Sequence, residues 1–217
     1  MKSLPVVIAF GLAMLLAGCG SPAPRSTTSP SADASASATT RAPDLKAELL
    51  VISDLPAGDW SVVRNTTSGA TPSCFAVVRS DLDLKAATQA QVTFIHGSNS
   101  LPVFEELLAY LPGRGQSSMT AATHVISGCG HISLTLGGQN LTGVVRPVSF
   151  PAVGDQSAAY QLSLSGTVSG QPVTLGVDAI IFRKGDIVAT IQYVDLGPPL
   201  DITALEQITQ LAAAKVS

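Results

Sequence analysis

The chain has 217 residues, 46% of them hydrophobic and only 12% charged, with a mean hydropathy of +0.37. That much apolar surface excludes a disordered polyelectrolyte. Only residues 1–20 approach the length and apolarity of a span, which excludes a multi-span membrane protein. A formal net charge of −3 without clustered Lys or Arg gives nucleic acid no footing.

Residues 1–18 read as a secretory signal. Lys2 supplies a positive start, and Leu4 to Leu16 is an apolar stretch too short for a stable span. It ends in Leu16-Ala17-Gly18-Cys19, which resembles a bacterial lipobox. The resemblance implies cleavage before Cys19, a diacylglycerol on its thiol and acylation (palmitate) of its new amino group. The plainer alternative is an ordinary signal with an incidental cysteine. The position of Cys19 ahead of a polar tether favours lipidation. Acyl chains at about 0.8 kcal/mol per buried methylene moor a domain to a cell membrane without a transmembrane helix. Ser21 leaves the final leaflet open.

Gly20 to Pro43 is almost entirely Ser, Thr, Ala and Pro, so residues 19–43 read as a lipidated Cys followed by a disordered tether. Its reach is on the order of 25 Å. Its composition also permits O-glycosylation. Without residues 1–18, 11 basic side chains face 15 acidic ones, a formal −4. The anchor, not a basic patch, must hold the protein to a membrane.

Residues 44–217 read as a single extracytoplasmic domain. Asp44 to Leu50 is a short helix with Asp44 as N-cap, and Asp54 to Trp60 is a turn. Trp60 to Val63 starts a strand, and Val92 to His96 is another, ended by Gly97. Leu101 to Leu111 has Val103, Phe104, Leu107, Leu108 and Leu111 spaced as one helical face. Ser100 caps that predicted helix, Pro102 fits its first turn, and Pro112-Gly113 stops it. Glu105 and Glu106 then fall on its solvent side.

Residues 131–194 carry the strongest pattern. Ala158, Tyr160, Leu162 and Leu164 alternate with polar or small residues, and Val173 to Ala179 alternates before Ile180-Ile181-Phe182. Gly166 to Gly170 and Arg183 to Asp186 are turns, and Ile187 to Val194 returns as a strand, giving an antiparallel meander. Pro198 and Pro199 delay the closing helix. Asp201 caps it, and Ile202, Leu205, Ile208, Ala212 and Val216 form its apolar stripe. The fold class is α+β, a mainly antiparallel twisted sheet packed with a few helices.

This order of elements, with Val153-Gly154-Asp155-Gln156-Ser157 opening a strand and Phe182 to Asp186 as a hairpin, resembles actinobacterial lipoproteins of the PknH-like extracellular sensor domain family. The resemblance spans residues 44–217. It implies a sheet flanked by helices with a groove, and ligand or cell-wall sensing. One departure is plain: the sensor domain is held by two disulfides, whereas this chain has thiols for one.

After lipidation of Cys19, Cys74 and Cys129 remain, and an even remainder in an exported chain favours a disulfide. Such a bridge ties the early strand region to the start of the meander. The competing reading is a metal held by His124, Cys129 and His131, but no fourth ligand has structural-zinc spacing and a paired cysteine cannot ligate. No metal or cofactor is expected.

Catalysis has no constellation to stand on. No G-x-S-x-G occurs, and His96, His124 and His131 read as strand-end, polar-stretch and surface residues. Asp155 is an Asx-turn or strand-start cap before it is a ligand group. Gly137-Gly138-Gln139-Asn140 is a hairpin turn before it is a phosphate cradle. Asp178 falls on the strand face opposite Leu175 and Val177, toward solvent or a groove. Three readings result: a non-enzymatic lipoprotein whose groove between sheet and helix takes a small, lipidic or envelope-derived ligand; a protein–protein module accessory to a membrane or cell-wall complex; and an envelope hydrolase with an unrecognised site. The first is preferred, with its ligand-binding residues unassigned, because many small side chains and few aromatics permit a groove.

Overall fold

Apolar residues recur on both faces of the long strands, and the chain answers by placing helices on either side of one sheet. The computed structural model describes residues 42–63, 72–97, 101–136, 138–196 and 202–217, which fall in one compact unit, Thr40–Ser217. In chain order they form α1 (Leu45–Glu48), a 3-10 turn (Ile52–Asp54), β1 (Trp60–Val62), α2 (Ser73–Lys85), β2 (Thr88–His96), β3 (Val103–Tyr110) and α3 (Gly115–Ser127). Then come β4 (Ile132–Leu136), β5 (Gln139–Val148), β6 (Gln156–Val168), β7 (Gln171–Lys184), β8 (Ile187–Leu196) and α4 (Thr203–Lys215). The eight strands form one sheet in the order β1-β2-β3-β8-β7-β6-β5-β4, and every pairing is antiparallel. The α+β class and the C-terminal meander are as the alternation predicts.

Each face has its own core. Phe75, Val78 and Leu82 of α2 and Met119, Ala122 and Ile126 of α3 pack on Leu162, Leu164, Val177, Ala179 and Ile181. On the other face Leu45, Leu50 and Leu55 join Leu205, Ile208, Ala212 and Val216 over Phe94, Phe104, Leu108, Ile180 and Phe182. Burial of each such leucine is worth roughly 1.5–3 kcal/mol, so the segment from Leu45 to Leu55 is part of the core although it contains little regular structure. No helix among the described residues is long and apolar enough to cross a membrane.

The predicted helix over Leu101–Leu111 is instead strand β3. It pairs with β2 from Thr88↔Tyr110 to Ile95↔Val103 and with β8 from Val103↔Val194 to Tyr110↔Ile187. Phe104 and Leu108 enter one core, while Leu107 and Ala109 face the other side of the sheet. A strand covered on both faces loses the period-two signature, and here the apolar positions happen to match helical spacing. Glu105 and Glu106 are therefore not on a solvent side. Glu105 is half-buried and Glu106 is fully buried.

Two helices escape the sequence pattern. The buried stripe of α2 is blurred by Val77 and Leu84, which are 56% and 85% exposed. Helix α3 is rich in Ser, Thr, Gly and Ala, and its hydroxyls turn back on the helix, as in Thr120 Oγ1 to the Gln116 carbonyl at 3.0 Å. Its start has no side-chain cap of its own. Asp186, from the β7–β8 turn, accepts the Gly113 amide at 2.8 Å and the Gly115 amide at 3.4 Å, serving the helix N-terminus from afar.

The remaining expectations divide. Asp44 precedes α1 but makes no side-chain capping bond. Asp201, Pro198 and Pro199 lie outside the described residues, and the stripe of α4 is buried at Leu205, Ile208, Ala212 and Val216. Gly154 sits at φ +63°, and a Cβ there would lie 2.4 Å from the Arg183 carbonyl oxygen, so the turn into β6 requires glycine. Beside it Asp155 accepts the Gly185 amide at 2.8 Å and pairs with Arg183 at 2.9 Å, fastening the start of β6 to the β7–β8 hairpin. Asp178 is neither in solvent nor in a groove: it is fully buried, with Gln161 donating to its Oδ1 at 2.8 Å.

Cys74 and Cys129 are bridged, with Cα atoms 6.4 Å apart. The bridge does not begin on an early strand as expected. It joins the first turn of α2 to the four-residue connection between α3 and β4. Closing a loop across 55 residues is worth about 4 kcal/mol in the chain-entropy model. Cys74→Ser and Cys129→Ser should therefore lower the melting temperature equally, by roughly 8–16 °C for a domain of this size. Thermal unfolding of both variants measures this, and free thiols in the mature wild type would remove its basis.

Candidate functional site

The face under α2 and α3 is apolar along β4–β7 and turns polar where it crosses β2, β3 and β8. Register sets the pattern. Thr93, Glu105 and Gln192 are cross-strand neighbours in one row, and Gln91, Leu107 and Thr190 make the next. These residues share a face because residues at i and i+2 point the same way, and neighbouring strands put about 5 Å between them. The outcome is a polar floor two strand spacings wide.

Arg79 of α2 reaches down onto that floor. Its Nη1 donates to Glu105 Oε1 at 2.6 Å and its Nη2 to Gln91 Oε1. Gln91 in turn lies 3.5 Å from the Thr93 hydroxyl. Thr190 and Gln192 are half-buried, and among the described residues no side-chain hydrogen bond engages them. Behind Arg79 a cleft narrows between the helices and the sheet, walled by Phe75, Val78, Leu107, Ile126 and Tyr160. Phe75 and Tyr160 meet edge to face at 6.4 Å. The inner cleft has about 20 Å³ of free space, the room of about one water. Arg79, Thr190 and Gln192 line the same cleft, so a guanidinium, a hydroxyl and an amide border it beside the apolar walls.

The opposite layer carries a different cluster. Glu106 Oε2 accepts the Leu50 amide at 2.6 Å, while Glu106 Oε1 is buried without a partner. Burial pushes the Glu106 carboxyl up to about 7, against the opposing pull of the Leu50 amide and the Lys215 charge. Lys215 donates to the Leu49 carbonyl at 3.1 Å and pairs with Asp54. Burial works to raise the Asp54 carboxyl, but the Lys215 bond, the Val51 amide and the Lys215 charge outweigh it and hold it below its ordinary value. Glu48 Oε1 accepts from Ser217 at 2.6 Å. On the same sheet face, burial and then the charge of Asp195 push the Tyr193 phenol up to about 12, which leaves it protonated at neutral pH.

The other positions singled out by the sequence do not converge on either place. His96 packs edge-on against Trp60 at 4.9 Å, and His124 and His131 are exposed. Cys129 is spent in the disulfide, so the His124, Cys129, His131 metal reading fails at its sulfur. Among the described residues no three His, Cys, Asp or Glu side chains are placed to hold a metal ion. Gly138, at φ +76°, turns β4 into β5 as a hairpin. Cys19 lies outside the described residues. The sequence pattern does not point to Arg79, Gln91, Thr190 or Gln192 as site residues, and it places Glu105 on a solvated helix face. The one available signal was Gln192, a long polar residue inside the apolar run Ile187 to Val194.

No protein-family model matches the chain, and no curated protein matches it. Among solved structures it is similar to the crystal structure of the extracellular domain of PknH from Mycobacterium tuberculosis, with a TM-score of 0.59 and 10% sequence identity. The match covers 78% of this chain and 93% of that one. At this identity the likeness is one of fold: a single antiparallel sheet with helices packed against it.

Proposed function

We propose that this chain is a lipid-anchored, extracytoplasmic, non-enzymatic domain that binds a small polar or amphipathic envelope-derived ligand at the mouth of the α2 cleft. The observation that carries the reading is the polar floor. On a sheet face otherwise filled with Leu, Val, Ile and Ala, the side chains of Gln192 and Thr190 stand open beside the Arg79–Glu105 pair. Buried or half-buried polar groups cost stability unless they are bonded, so such groups facing a cleft are suited to a ligand that completes their bonds. The lipobox-like Leu16 to Cys19, the Ser/Thr/Ala/Pro segment and a bridged cysteine pair support an exported, anchored protein.

A specific feature favours a protein–protein module as the second reading. Val51, Ile52 and Val62 are 50%, 44% and 45% exposed and line an open groove with Lys46, Leu49 and Val92. A partner captured by cross-linking at Val62, with nothing bound at the α2 cleft, would decide for it.

Two measurements test the main reading. Cys19→Ala should move the protein from the membrane fraction to the soluble fraction with the melting temperature unchanged. A variant that stays membrane-bound contradicts the anchor. Native mass spectrometry of the protein taken from its own membranes should show an added mass, reduced at least tenfold in occupancy by Gln192→Leu combined with Arg79→Met. A bare mass in the wild type counts against the ligand.

A further inference from the structure

We propose that residues 44–54 form a proton-operated clasp, which closes over Glu106 while that carboxyl is neutral and opens more readily once it is charged. The inference is independent of the ligand reading and concerns the opposite face of the sheet.

The clasp is held in an unusual way. Among the described residues, its backbone hydrogen bonds are local, such as Ala47 to Asp44 and Asp54 to Val51. None joins it to a strand. Its bonds to the rest of the domain run through side chains: Glu106 takes the Leu50 amide, Lys215 holds the Leu49 carbonyl and Asp54, and Ser217 holds Glu48. Leu45 and Leu50 plug the core beneath. The acid at position 106 is not needed for packing. Its cross-strand neighbours are Val92 and Ile191, and the same strand face carries Phe104 and Leu108.

The charged surroundings fix the direction. Glu105, next along β3, points to the other face and is bonded to Arg79. From the clasp, the Asp54 charge acts on Glu106, Glu48 is buried and bonded to Ser217, and Lys46 is exposed. From α4 comes Lys215, already paired with Asp54. Lys184 of β7 is turned to the Ala213 and Val216 carbonyls. Lys215 is thus the one cation acting on Glu106 among the described residues, its pull shared with Asp54 and outweighed by burial, and Glu106 Oε1 has no donor among them. With the clasp closed the carboxyl titrates at about 7 against a usual 4.5. With it open the group meets water and returns to its usual value. Closing takes up a proton between those two values, so closure is strongest below about 4.5 and weakens as the pH rises through 7.

Amide hydrogen exchange on the intact chain reads this directly. After correction for intrinsic exchange, protection of the Leu50 amide should fall roughly 50-fold between pH 5 and pH 8, while ladder amides of β7 stay constant. Glu106→Gln should make the Leu50 protection flat across the same range. Protection of Leu50 that changes less than about twofold in the wild type overturns the proposal, as does a fall shared equally by β7, which would mean global unfolding. Should the variant not fold, the Glu106 carboxyl carbon can be titrated by NMR in the wild type. A midpoint above 6 supports the clasp, and one at the usual value for a glutamate overturns it.

Discussion

The constraint on which the structure turns is that one sheet must bury both of its faces along its interior strands, and β3 shows it most sharply. β3 lies between β2 and β8, and its successive side chains enter different layers. Phe104, Glu106 and Leu108 belong to the layer closed by α1 and α4, while Glu105, Leu107 and Ala109 belong to the layer closed by α2 and α3. A slip of one residue would exchange every one of these positions. The two acids mark the register, since each has a single partner on its own side: Arg79 for Glu105 and the Leu50 amide for Glu106. Adjacent carboxylates in the sequence thus act in environments that never meet.

The same constraint explains where the sequence was readable. β6, β7 and β8 were legible because their polar turns sit at Gly166–Gly170 and Arg183–Asp186, and because β6 alternates clearly. α4 was legible because only one of its faces is covered. β3 was not, since two covered faces remove the period-two alternation and the apolar residues on either side of Glu105-Glu106 fall at helical spacing. α2 and α3 were hidden for separate reasons. Exposed Val77 and Leu84 smear the first, and the second borrows its N-terminal acceptor from Asp186, more than seventy positions away in the chain. The cysteine pairing followed from chain-level arithmetic, but its place in the fold depended on α2 and so was misplaced with it. Of the candidate site almost nothing was legible. Gln91, Glu105, Thr190 and Gln192 come from three strands and acquire meaning only through register.

The two layers differ in what their polar groups do. Around Glu106 the bonds close a segment onto the sheet, and water is excluded. Around Arg79 the bonds leave groups over. The Arg79 and Glu105 side chains are 20% and 15% exposed, and a pair so placed contributes little more than the roughly 0–1 kcal/mol of a surface ion pair once desolvation is charged against it. Stability alone does not account for it.

An apolar row would serve packing better. The adjacent row of this face, Ile95, Val103, Val194 and Val177, is apolar throughout, with Val177 and Val194 joining the core. Replacing half-buried polar groups by well-packed apolar ones is commonly neutral or stabilising. The chain instead keeps an amide, a hydroxyl and a salt bridge beside α2, and fastens the N-terminal turn of that helix by the Cys74–Cys129 bridge. Because Thr190 and Gln192 are only half-buried, water can serve as their partner there, which keeps the cost of leaving them outside the protein's own hydrogen bonds small.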